Sequence, residues 1–139
     1  MALLADYANV TKEGKLNVLG IFHQLRVARL PAQHPSMQLI LMLEGNRGDA
    51  DREQKIELRL MAPSGKDVFK MDGTFLIKDP EHRWTTIRSN QILQIHGLTF
   101  HEAGGHIFYV YLNNHQETAV ALEVVIVAPE EPQQRLPGT

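Results

Sequence analysis

Apolar and polar residues alternate most cleanly over residues 55–61, where Ile56, Leu58 and Leu60 point one way and Lys55, Glu57 and Arg59 the other. A period of two with charge on one face predicts a half-buried strand. Ala62-Pro63-Ser64-Gly65 supplies the turn that ends it. Residues 38–44 form a continuous apolar run of strand length, and Pro35 and Gly45 leave too little room for a buried helix. Residues 118–127 place Val120, Leu122, Val124 and Ile126 on one face and Glu123 on the other. Residues 106–112 are rich in β-branched and aromatic side chains, and Asn113-Asn114-His115 turns the chain into the last strand. Residues 15–27 read as one long strand or two collinear ones, with a phase change near Gly20. Residues 86–100 hold one or two strands interrupted at Gly97, and residues 2–10 read as a further strand. Asp72-Gly73 reads as a tight turn between Val68 and Phe75. Nothing reads as a helix. About eight or nine short strands predict an all-β, antiparallel two-layer sandwich.

Composition narrows the class. A chain of 139 residues with 43% apolar and 22% charged residues is one globular domain. Its boundary is predicted at 1–128, because residues 129–139 hold three prolines and little to bury. They read as a Pro-rich tail that folding does not need. A net charge of −2 argues against nucleic acid and anionic membranes as partners. Without cysteine there is no disulfide framework and no thiolate metal site. The first residues carry no basic segment and Asp6 cuts their apolar run, so they do not read as a signal peptide. No apolar run reaches the ~18 residues of a spanning helix. A cytoplasmic location is expected.

Candidate chemistry is thin. His101-Glu102-Ala103-Gly104-Gly105-His106 invites comparison with the helical zinc-protease motif, but its histidines are five apart and two glycines weaken any helix between them. The expected structure is a turn. His96, His101 and His106 are the one set of the seven histidines with the makings of a metal site, which would make the chain a metal-dependent enzyme. Lys70-Met71-Asp72-Gly73-Thr74 ends like the nucleophile loop of the haloacid-dehalogenase phosphatases, yet Lys70 stands where the attacking Asp belongs. No nucleotide or phosphate loop is present, and no cofactor is expected. Trp84, Tyr7 and Tyr111 are the aromatic candidates for a small-ligand or carbohydrate binder.

One pattern rises above background. The last two strands are apolar on both faces, and a two-layer sandwich buries only one. Phe108, Val110, Leu112 and Val125 are assigned to the surplus face, where a solvated strand would carry Lys, Glu or Thr. That face predicts a homodimer or a protein partner. Cover by the 77–90 connection, with Trp84, is the competing expectation.

Two resemblances bear on this reading. Ala5-Asp6-Tyr7-Ala8-Asn9-Val10 followed by Gly14-Lys15-Leu16-Asn17-Val18-Leu19-Gly20-Ile21-Phe22 resembles the opening of a family of small uncharacterised bacterial proteins, a domain of unknown function of about this length. Leu98-Thr99-Phe100, Gly104-Gly105 and the residues from Ile107 onward are similar to the closing hairpin of immunoglobulin-like sandwiches. The resemblances imply an immunoglobulin-like β-sandwich and bring no catalytic residue. The sequence therefore points to a non-catalytic binding or assembly module acting through protein contacts.

Overall fold

A computed structural model describes residues 1–49, 51–77 and 86–128 of the chain. Among them are nine strands: β1 (Ala2–Val10), β2 (Leu16–Phe22), β3 (Gln24–Val27), β4 (Ala32–Asn46), β5 (Glu53–Met61), β6 (Asp67–Leu76), β7 (Thr86–Phe100), β8 (Gly104–Leu112) and β9 (His115–Ile126). A single 3-10 turn covers Arg47–Asp49. The all-β expectation holds. No helix of the described residues is long and apolar enough to cross a membrane. The tail from 129 and the Trp84 cover fall outside the described residues.

The strands form two sheets, ordered β2-β1-β4-β7 and β3-β9-β8-β5-β6. The second is curled into a half-barrel. The sheets face each other across a core that includes Leu39, Leu41 and Ile95 from the first and Leu58, Leu60, Phe108 and Leu122 from the second. Pairing is antiparallel except between β3 and β9, which run parallel. The uniformly antiparallel expectation is corrected there, and the cause is local. β2 edges one sheet and β3 the other, with His23 alone between them, so the strand keeps its direction as it changes sheets.

Glycine marks two places where paired strands change face together. Register runs unbroken from Ala5↔Ile21 to Tyr7↔Leu19 around Gly20, and from Ser36↔His96 to His34↔Leu98 around Gly97. Leu4 nevertheless joins the main core while Ala8, four residues on, joins a second cluster with Ala5 and Ile40. Likewise Ile95 and Leu98, of opposite parity, both reach the main core. Gly20 and Gly97 have φ of +70° and +65°, values that L side chains rarely adopt. The phase change read at Gly20 is therefore present. Its result is that the end of the β1–β2 hairpin lies over the outer face of the first sheet, with Leu16 and Val18 packed on the second cluster.

Three local readings change. β4 runs through Pro35, because β1 pairs only with residues 38–41 and the missing N–H removes no ladder bond to it. β6 runs through Asp72-Gly73, which pair with Glu57 and Ile56, so no turn forms there. The faces of β8 are reversed. Phe108 and Val110 are fully buried and Leu112 packs on the core, while Val125 stays half-buried on the outward side of β9. Because β8 is apolar on both faces, periodicity cannot choose between them; its register with β5 does. Leu58 and Leu60 lie opposite Val110 and Phe108, and Glu57 and Arg59 opposite Tyr111 and Tyr109.

Candidate functional site

The predicted dimer face does not exist as read, since Phe108 and Val110 belong to the core. The outward face of β8 and β5 is instead a charged ladder. Arg59 donates to Glu57 at 2.8 Å, Lys70 lies 3.3 Å from the same oxygen, and the Arg59 guanidinium sits 5.5 Å from the centre of the Tyr111 ring. The hydrogen bond from Arg59, helped by Lys70, holds the Glu57 carboxyl below its ordinary value against the opposing effect of partial burial. Glu57 in turn raises Arg59. Tyr7 stands on the other sheet from Tyr111, so these two do not form one aromatic platform; Trp84 lies outside the described residues.

The histidine set is also not assembled. His101 is exposed in the turn after β7, and His96 is exposed beside the Gly97 bend. His106 faces inward and is fully buried, its ring edge-on to Phe100 at 5.2 Å. Its Nδ1 lies 3.0 Å from the Gly104 carbonyl oxygen, which places the proton on that nitrogen. Among the described residues no group of three or more His, Cys, Asp or Glu is arranged to hold a metal ion. The turn throws His101 outward and strand alternation turns His106 inward, so the three cannot converge.

What the structure does build is a seam. β6 edges one sheet and β7 the other, and among the described residues β6 pairs only with β5 and β7 only with β4. Two openings follow one another along it. Toward the β7–β8 turn is a polar cleft of about 650 Å³ whose lining includes Lys66, Asp67, His96, Thr99 and His101. Glu102 closes one end of that cleft, accepting from the Ser64 hydroxyl at 2.6 Å and from the Ser64 N–H at 3.2 Å. Further along is a cavity of about 170 Å³, lined by Ile56, Leu58, Met71, Phe75 and Leu93, with Gly73 and Gln91 among its polar and backbone rim. The seam is thus flanked by two strand edges and reaches the core between them.

A family model described as a family of unknown function (DUF6941) matches residues 1–125. The chain belongs to that family. The match runs from β1 to the penultimate residue of β9, so it contains both edges of the seam. No curated protein and no solved structure matches the chain.

Sequence reasoning misses this site because Asp72-Gly73 reads as a turn, which removes the strand that forms one of its walls. A signal was present: Val68, Phe69, Met71 and Phe75 are too apolar for two short flanks of a solvated turn.

Proposed function

We propose that this chain is a non-catalytic binding module that receives an extended segment of a partner protein along the seam between β6 and β7. The observation that carries the reading is the pair of strand edges facing each other across a groove that opens into the core. A strand edge offers a row of backbone donors and acceptors, which an extended peptide satisfies whatever its sequence. Side-chain pockets between the edges then select which peptide enters. We also read the two facing sheets as a variant of the immunoglobulin-like sandwich, supported by the β8–β9 hairpin that closes the chain.

A photoreactive residue at Gln91, on the seam, tests this in native cells against the same residue at Val125, on the outward side of β9. Cross-links from position 91 should map to one contiguous partner segment. A synthetic peptide of that segment should then slow amide exchange along β6 and β7. Equal cross-linking from position 125, or peptide binding that protects neither edge, overturns the reading.

A further inference from the structure

Inward positions of β6 are Phe69, Met71, Gly73 and Phe75, set opposite Leu60, Leu58, Ile56 and Gln54 of β5. Three of the four are bulky and apolar, as an inward strand position demands. Gly73 breaks the series, and neither usual reason for a glycine applies. Its φ is not in the left-handed region, and a Cβ built there would meet only Ile56 Cγ2 at 3.9 Å, an ordinary contact. A glycine that costs strand propensity without relieving strain or crowding marks a place kept open. What it keeps open is the cavity of about 170 Å³ that it lines with Ile56, Leu58, Met71, Phe75 and Leu93.

Size and lining set the ligand class. An apolar cavity of about 150 Å³ holds one benzene molecule. The space at Gly73 has that size but opens to solvent, with Asp72, Gly73 and Thr74 exposed at its mouth, so a benzene-sized group can enter it from outside. We infer that this cavity is an apolar binding site, and that a single Leu or Phe side chain of the docked segment fills it. The inference rests on the strand-docking reading for the identity of its occupant, but the site itself is open to a direct test. Burying most of one such side chain raises affinity by roughly ten-fold. In the partner segment, replacing that side chain by Ala should therefore weaken binding by that factor, while replacing its neighbours, which point away from the cavity, should not.

The probe for the site is benzene, titrated into the full chain and followed through methyl NMR signals. Saturable shifts confined to Ile56, Leu58, Met71 and Leu93 are expected. Gly73→Leu should abolish them and leave the protein folded, since no strained φ and no close contact opposes the new side chain; an unchanged melting temperature checks this. Gly73→Ala, which fills less of the space, should weaken uptake and serves as the measure if the larger variant unfolds. Absence of saturable shifts, or equal uptake by Gly73→Leu, overturns the inference. The two readings fail separately. Benzene uptake with a cross-linked segment that carries no bulky apolar residue sinks strand docking and leaves the cavity site standing. Protection of β6 and β7 by a peptide in a protein that takes up no benzene does the reverse.

Discussion

The side-chain oxygen of Gln38 accepts the backbone N–H of Ala8 at 2.5 Å, and through this bond the β1–β2 hairpin is held on the outer face of its own sheet. Gln38 is nearly buried, and its amide nitrogen passes the chain of bonds to Gln94 at 2.6 Å, which donates to Ser36 at 2.8 Å. β1 has already left β4 at this point, since its ladder ends at Ala5↔Gln38. One side chain thus replaces the strand partner that Ala8 lost. Gln38→Leu keeps the volume but orphans a buried N–H, so the protein should lose about 1–3 kcal/mol. Amide exchange at Ala8 should quicken by more than that at Leu4. Equal effects at both would show that the hairpin is held by its apolar contacts alone.

Gly20 carries a second constraint. Its φ is +70°, and a Cβ there would overlap the Asp6 carboxylate. Gly20→Ala therefore meets both backbone strain, about 1–2 kcal/mol, and a collision. Asp6→Ala in the same chain removes the collision and leaves the strain. The double variant should be more stable than Gly20→Ala alone, a positive coupling measurable by a denaturation cycle. Simple additivity would mean that Asp6 moves aside at no cost.

Leu58 and Val124 are both buried at 1% exposure on the inner face of the second sheet, where the alternation of their strands put them. Leu58→Ala should cost about 2–5 kcal/mol. Val124→Asp places an unpaired charge in the same core and should prevent folding at moderate temperature. An unshifted melting temperature for either contradicts the facing of these strands.

Glu57 gives the protein a share of its acid sensitivity. Its folded value lies below the ordinary 4.5 because the charged form is bonded by Arg59 and attracted by Lys70. Such a carboxylate contributes stability above its unfolded value, and the contribution is lost as pH falls through the lower folded one. Glu57→Gln should flatten the stability profile in that window and leave its shape near neutral pH unchanged. Added salt should shrink the difference, because the ladder faces water. Identical acid limbs for the two proteins would show that these ion pairs do not stabilise the fold.

Much of the fold was legible in the sequence wherever one face of a strand meets water. The charges of Lys55, Glu57 and Arg59 label the outside of β5, and that label is correct. Glu123 does the same for β9, leaving Leu122 and Val124 inside. β8 carries no such label, so its phase had to come from pairing with β5, which no local pattern reports. Gly20 and Gly97 were visible as interruptions, but their effect was not, because a face change shared by two strands depends on both. The candidate site was hidden for a related reason. Asp-Gly in isolation favours a turn, and only the register with Ile56 and Glu57 keeps Asp72-Gly73 extended. A site made by two edges from different sheets has no motif along the chain.

The parallel pairing of β3 with β9 sets an order on how the molecule is completed as it is made. Leu25 lies beside Val124 and Val27 beside Ile126. The His23 carbonyl waits for the N–H of Glu123, and that of Val27 for the N–H of Val127, each closing at 2.9 Å. The first sheet has all its strands once Phe100 has been added, whereas the second lacks a full ladder until Ile126. For about a hundred residues of synthesis, then, the short strand made early must stay uncommitted beside a finished neighbour. A nascent chain halted between these two points holds one complete sheet and one with an open flank, with Leu25 and Val27 uncovered. The last four residues of β9 act as the fastener for a segment laid down about a hundred residues before, and the second sheet is closed at that flank only when they arrive.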